Sequence, residues 1–142
     1  MVRDPRDVVL SCYMQSFALN PAMANFHTLE GAVRLYDVVQ HTWRSAASLM
    51  DASRIHVCRY EELAANPQPV IDALCQFLGL QPEEAMLHPE IASVEGVLTP
   101  SLRQIARPIN TQSVERHRHY ATYLQDFMGI LRPWISHFGY PE

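Results

Sequence analysis

Apolar residues recur at intervals of three and four over residues 28–50, the longest regular stretch in the chain. The repeating positions are Leu29, Ala32, Val33, Tyr36, Val39, Trp43, Ala46, Ala47 and Met50. This spacing places apolar side chains on one face of an α-helix, and Thr28 followed by the acidic Glu30 is typical of a helix start. The pattern therefore predicts a helix of about six turns over residues 28–50.

A second helical pattern occupies the N-terminus. Its apolar positions are Val8, Val9, Cys12, Tyr13 and Phe17. Asp4 is predicted to cap this helix, and Pro5 suits its first position because a first-turn amide has no intrahelical acceptor. Asp7 lies three residues after the cap, near the acidic position of a capping box. These signals predict a helix over residues 5–17.

The middle of the chain changes period. Residues 54–60, RIHVCRY, alternate, with Ile55 and Val57 on one face. A short alternating run bounded by turn residues predicts a β-strand, the one strand that the pattern indicates. Helical spacing returns over residues 68–78. Gly79 is placed to end that helix, because glycine readily adopts the positive φ of a helix C-terminus.

The last third of the chain is predicted to be a loop followed by helices. Residues 88–112 contain prolines and little periodicity, which favours a loop. Ser113 is predicted to cap the next helix. Apolar spacing over residues 120–138 predicts a final helix, bent or restarted at Pro133 and closed by Gly139.

Composition limits the class of protein. The chain has 142 residues, of which 48% are hydrophobic and 18% charged, so it is predicted to be globular and at most one domain. A net charge of −4 argues against nucleic-acid or anionic-membrane partners. No apolar run approaches the roughly 20 residues of a membrane span. Cys12, Cys58 and Cys75 are odd in number and widely spaced, which predicts reduced thiols in a cytoplasmic protein and no metal site.

The start of the first helix carries the chemistry of a phosphate site. Arg3 stands immediately before the N-terminal amides of the helix, and its planar guanidinium matches phosphate oxygens. The hydroxyl of Ser11, two turns further on, is a second donor. The same residues also fit a charged helix start with Ser11 on a polar face, and this stretch alone leaves both interpretations open.

The chain resembles the sulfotransferases that use 3′-phosphoadenosine-5′-phosphosulfate (PAPS). The first shared motif is RDPRDVVLS over residues 3–11. In that family an Arg at its first position and a Ser eight residues later hold the 3′-phosphate, which implies this role for Arg3 and Ser11. The second motif is RYEEL over residues 59–63, followed by a helix ending in FLGL. It implies that Tyr60 lines the nucleotide site, although a packing role at the strand end stays open.

The third motif is TPSLRQIARPIN over residues 99–110, followed by SVERHRHY over residues 113–120. It is similar to the bacterial sulfotransferases often attached to tetratricopeptide repeats, except that His117 replaces a Trp. In the related tyrosylprotein sulfotransferases a Ser and a Lys of this loop contact the nucleotide phosphates. The resemblance implies that Ser101 and Arg107 do so here, while a simple surface ion pair stays open for the arginine.

The resemblance implies an α/β, P-loop NTPase-like sulfotransferase fold, mostly helical in this chain with one strand. Two family elements have no match in the sequence: the glycine-rich P-x-S-G-T loop that cradles the 5′-phosphosulfate, and the His or Glu that acts as catalytic base. We therefore expect residues 1–142 to be the C-terminal part of a sulfotransferase domain, N-terminally incomplete, with PAPS as co-substrate, an unidentified acceptor and no catalytic residue.

Such a chain is expected to supply the 3′-phosphate-binding half of the enzyme and to be inactive alone. The alternative is a noncatalytic helical interaction module left by truncation. Because truncation would leave apolar helix faces without their sheet, the chain alone is expected either to self-associate through that face or to be marginally stable. His117 and His119 do not change this picture, because residues two apart on a helix point about 200° apart and cannot share a metal ion.

Overall fold

The computed structural model of the protein describes residues 1–18, 20–89 and 108–142, and these are mostly helical. The α-helices are α1 (Pro5–Met14), α2 (Leu29–Ala47), α3 (Tyr60–Ala65), α4 (Pro67–Leu78), α5 (Ala121–Leu124) and α6 (Met128–His137). Short 3₁₀ segments cover Met23–His27, Ala52–Arg54, Glu84–Leu87, Arg116–Tyr120 and Gln125–Phe127. The chain divides into two compact units, residues 2–55 with 115–142, and residue 1 with 56–114.

The first unit, residues 2–55 with 115–142, holds the hydrophobic core. Its helices α1, α2 and α6 pack against one another. The buried core residues are Val9, Leu10, Ala32, Val33, Tyr36, Leu124, Leu131, Trp134 and Ile135. Only the N-terminal half of α2 enters this core, because Val39 and Trp43 remain 50% and 48% exposed. The apolar face predicted for the second helix is therefore buried over about its first two turns.

The predicted starts of both long helices are confirmed. The side chain of Asp4 accepts a hydrogen bond from the backbone N–H of Arg6, and Pro5 is the first residue of α1. Thr28 caps α2 by accepting from the N–H of Gly31 at 3.0 Å. Both helices end earlier than predicted, at Met14 and Ala47. The predicted ends were too late because apolar residues continue at helical spacing beyond these two positions.

The second unit contains α3, α4 and the 3₁₀ segment Glu84–Leu87 among its described residues. Helix α4 packs on both of the others, and the thiol of Cys75 lies 3.6 Å from the sulfur of Met86. Gly79 ends α4 as predicted, with a φ of 70°. The N–H of Leu80 then donates to the carbonyl of Cys75 at 2.9 Å, which satisfies an acceptor at the helix end.

The strand predicted over residues 54–60 is not formed. A 3₁₀ segment ends at Arg54, and α3 begins at Tyr60. Between them the backbone is extended at Ile55, but in the described part of the chain β-type pairing is limited to the single residues Val2 and Arg59. The alternating pattern specifies an extended backbone, whereas a strand also needs neighbours to accept and donate its hydrogen bonds.

The prediction of a helix that starts after Ser113 is also wrong. The chain turns there, and Glu115 has a φ of 56°, which an α-helix cannot accommodate. Short helical segments follow from Arg116 onward. The final helix α6 begins at Met128 and continues through Pro133, so the helix restarts at Met128 and not at the proline as predicted. Gly139 closes α6 as expected, with a φ of 69°. The predicted loop over residues 88–112 falls mostly outside the described residues.

Candidate functional site

The N-terminus of α1 is fixed by a buried ion pair. The guanidinium of Arg6 donates from Nε to Oδ1 of Asp4 at 3.0 Å and from Nη2 to Oδ2 at 2.7 Å. The same Nη2 donates to the backbone carbonyl of Pro141 at 2.7 Å, which ties the C-terminal segment to the start of α1. The hydrogen bond to Asp4 is the main reason that the pKa of Arg6 is raised. Arg6 therefore serves the fold.

Arg3 immediately precedes Asp4, the residue that caps α1. The residue is half-buried, and its Nε atom is shielded from solvent. Burial raises the pKa of the Cys12 thiol, and the positive charge of Arg3 opposes that shift. The guanidinium thus lies within electrostatic range of the second and third turns of α1. Ser11, also half-buried, is the residue immediately before Cys12.

The other predicted nucleotide contacts lie elsewhere in the chain. Tyr60 is half-buried and is the first residue of α3, in the second unit, rather than the last residue of a strand. Glu61 and Glu62 lie in the first turn of α3, where the helix dipole stabilises carboxylates. Ser101 and Arg107 fall outside the described residues.

The structure adds a polar pair that the sequence did not indicate, formed by Asp7 and His117. Oδ1 of Asp7 accepts from the backbone N–H of His117 at 2.7 Å and contacts Nδ1 of its ring at 3.1 Å. Both residues are buried, with exposed fractions of 1% and 7%. Asp7 is therefore not part of a capping box. A partner 110 positions away leaves no local signal that sequence reasoning can use.

A second polar cluster joins α2 to α6. The indole N–H of Trp134 donates to Oδ1 of Asp37 at 2.7 Å, and the ring of His41 packs edge-on against the indole with centroids 4.8 Å apart. The guanidinium of Arg44 lies 5.2 Å from the centre of the Trp134 ring. These contacts satisfy the polar atom of a buried indole, so we assign the cluster to helix packing.

The remaining chemistry is limited within the described residues. Residues 1–18, 20–89 and 108–142 contain no group of three or more His, Cys, Asp or Glu side chains arranged to hold a metal ion. The three cysteines are free thiols. Over the same part of the chain, we find no helix whose length and apolar character would let it cross a membrane.

Comparison with known proteins bears on this geometry. Residues 1–84 match the model of a family described as the sulfotransferase family. The chain is 26% identical over 146 residues to a 3-beta-hydroxysteroid sulfotransferase of Cavia porcellus, a match that covers 96% of this chain and 48% of that protein. It is also 26% identical over 148 residues to an uncharacterised protein of Aquifex aeolicus (strain VF5), covering 99% of this chain and 18% of that protein. The chain thus spans less than half the length of either relative.

Proposed function

Because the chain belongs to the sulfotransferase family, we propose that it binds the 3′-phosphate of PAPS through Arg3 and Ser11. The observation that carries this proposal is the position of Arg3. Arg3 lies just before the first residue of α1, a helix N-terminus whose dipole favours an anion, and its charge opposes the rise in the pKa of Cys12, the residue after Ser11. A guanidinium just before a helix and a hydroxyl on that helix provide donors of the kind that a phosphate monoester accepts.

The two arginines of the motif have different roles in this proposal. Arg6 already holds Asp4 and the carbonyl of Pro141 with its Nε and Nη2 donors. Using it as a phosphate ligand would draw the charge of Arg6 away from the buried carboxylate of Asp4, which is costly. Arg3 is therefore the phosphate ligand, and Arg6 holds the start of α1 in place.

The remaining nucleotide contacts follow from the family motifs. We assign Tyr60 to the lining of the nucleotide site and Ser101 and Arg107 to the phosphates. The motif over residues 113–120 favours the bacterial, repeat-associated branch of the family. The reaction of such an enzyme moves a sulfuryl group from PAPS to an acceptor hydroxyl or amine and leaves adenosine 3′,5′-bisphosphate. The acceptor of this protein is not assigned.

This chain is proposed to supply the 3′-phosphate-binding half of a PAPS-dependent sulfotransferase. It spans 48% of the steroid sulfotransferase that it matches, and its sequence contains no P-x-S-G-T loop. Stabilising the charge that develops at the 5′-phosphosulfate is usually the largest part of such catalysis. We therefore expect the 142 residues alone to transfer no sulfuryl group.

A noncatalytic interaction module is the second candidate function. It is favoured by the surface of α2, where Val38, Val39 and Trp43 are 59%, 50% and 48% exposed. Apolar side chains clustered on one exposed helix face are typical of protein contacts. In this case the chain self-associates or binds another protein through α2 and has no measurable affinity for the nucleotide.

The nucleotide proposal is tested by titrating adenosine 3′,5′-bisphosphate into the wild-type chain and the Arg3→Ala variant. Removing a charge-assisted hydrogen bond to phosphate weakens binding by roughly tenfold or more, because such a bond is worth about 1.5 to 3 kcal/mol. Isothermal titration calorimetry gives the dissociation constant of each protein directly.

The matched control is Arg34→Ala, which removes an exposed arginine that pairs with Glu30 on its own helix. Arg34→Ala should bind the bisphosphate like the wild type. Equal affinity of the wild type and Arg3→Ala would remove Arg3 from the site. The absence of any binding by the wild-type chain would favour the interaction module.

A further inference from the structure

The Asp7–His117 pair engages one ring nitrogen of His117 and leaves the other available for a hydrogen bond. Oδ1 of Asp7 already accepts from the backbone N–H of His117, so it acts as an acceptor, and Nδ1 of the ring must carry the hydrogen of their 3.1 Å contact. In the described part of the chain no hydrogen bond reaches Nε2 of His117. Asp7 thus fixes the tautomer and leaves Nε2 to face another partner.

The pair also holds a buried negative charge that is incompletely satisfied. Asp7 is 1% exposed, and its Oδ2 atom has no hydrogen-bond partner among the described residues. A buried carboxylate with one orphaned oxygen is costly. A proton on His117 would place a full positive charge against it, so the pair is suited to take up a proton when a second anion arrives nearby.

The pair joins the start of α1 to the 3₁₀ segment Arg116–Tyr120. Asp7 lies in the first turn, and Ser11 is four residues later, so both side chains emerge from the same face of the helix. The backbone supports this placement, because Glu115 adopts a left-handed φ of 56° two residues before His117. Such conformations persist where surrounding contacts hold them, often at functional sites.

The charges around His117 come from several elements. The start of α1 contributes Asp4, Arg6 and Asp7, and the charge of Glu115 reaches Arg6. The turn itself contributes an exposed ion pair between Arg118 and Glu115 at 2.6 Å. Its other ionisable groups are the exposed Arg116 and His119 and the half-buried Tyr120, and the adjoining α5 adds the exposed Tyr123.

We propose that His117 is a further ligand of the phosphate site, donating from Nε2 to a phosphate monoester in its protonated form, with Asp7 as the residue that positions the ring. This inference rests on the proposed function, since it deepens the site of Arg3 and Ser11. Binding of the dianion takes up a proton from solvent onto His117.

The test is calorimetric titration of adenosine 3′,5′-bisphosphate into the full chain in two buffers of different ionisation enthalpy. The difference in observed heat gives the number of protons taken up. Asn at position 117 keeps a donor in the place of Nδ1 but lacks Nε2, so His117→Asn should bind about tenfold more weakly and take up fewer protons than the wild type. The control His119→Asn removes an exposed histidine two residues away and should match the wild type.

A second measurement needs no variant and covers the case in which His117→Asn fails to fold. Imidazole ¹⁵N NMR of the wild-type chain should show the Nδ1–H tautomer for His117 and a gain of protonation when the bisphosphate is added at fixed pH. Binding with unchanged affinity and proton uptake in His117→Asn, or an imidazole spectrum unaffected by the ligand, would overturn the inference while leaving Arg3 in the site. No binding by the wild type would overturn the proposed function and this inference together.

Discussion

At the scale of single residues, two arginines three positions apart are separated by their contacts. Arg6 is held by Asp4 and by the carbonyl of Pro141, whereas the positive charge of Arg3 opposes the rise in the pKa of the Cys12 thiol. The sequence motif names both residues without distinguishing them. Their different surroundings make one a structural residue and the other the candidate ligand.

This distinction predicts that Arg6→Ala destabilises the fold by about 3 kcal/mol, because it removes the arginine side of a buried ion pair. The side chains of Arg6 and Asp4 are only 10% and 7% exposed. Arg34→Ala, which breaks an exposed pair with Glu30, should cost less than about 1 kcal/mol. Urea unfolding of both variants measures the two costs. Equal values would show that the Arg6 pair contributes no more than a surface ion pair.

The candidate site shows what single residues reveal in the sequence. Asp4 and Pro5 form a local signal, since a cap and a first-turn proline act within one helical turn, and both were predicted correctly. Asp7 has the same kind of local signal but binds His117, which is 110 residues away. Only the folded chain brings that pair together, so the sequence led to the wrong prediction of a capping box at Asp7.

At the scale of elements, periodicity located the main helices, but the strand that it predicted over residues 54–60 is not formed. Helices satisfy their own backbone hydrogen bonds, so a pattern in the sequence is enough to locate α1, α2 and α4. The segment over residues 54–60 has a strand pattern, yet a strand requires neighbours that the described residues do not supply. Helix ends were less accurate, because apolar spacing continues past Met14 and Ala47.

The start of α2 gives a prediction at this scale. Glycine to alanine inside a helix normally stabilises it by about 1 kcal/mol. At Gly31, however, an added Cβ would lie 2.2 Å from the carbonyl oxygen of Asn25 and 2.9 Å from the hydroxyl oxygen of Thr28. The backbone must shift to relieve this contact, so Gly31→Ala should destabilise the protein by about 1 to 3 kcal/mol.

The matched control is Gly129→Ala in α6, where an added Cβ meets nothing within 4 Å. This variant should be as stable as the wild type or more stable by up to about 1 kcal/mol. Thermal unfolding should therefore show a lower midpoint temperature for Gly31→Ala and an unchanged or higher one for Gly129→Ala. A stabilising Gly31→Ala would show that Met23–His27 does not approach α2 as closely as described.

At the scale of the whole molecule, family membership and site geometry contribute different parts of the account. The match over residues 1–84 establishes the sulfotransferase family. The packing of the first unit shows how the start of α1 is held in place by Arg6 and by His117. Neither the family match nor the packing identifies the nucleotide or the roles of Arg3 and Tyr60, which are proposals.

The central claim is that this chain recognises the 3′-phosphate of its nucleotide. Titration of the wild-type chain with adenosine 3′,5′-bisphosphate and with adenosine 5′-monophosphate tests it most directly, because the two ligands differ only in that group. We expect the bisphosphate to bind at least about tenfold more tightly, since its extra phosphate gains charge-assisted hydrogen bonds. Equal affinity for the two nucleotides, or tighter binding of the monophosphate, would contradict the account.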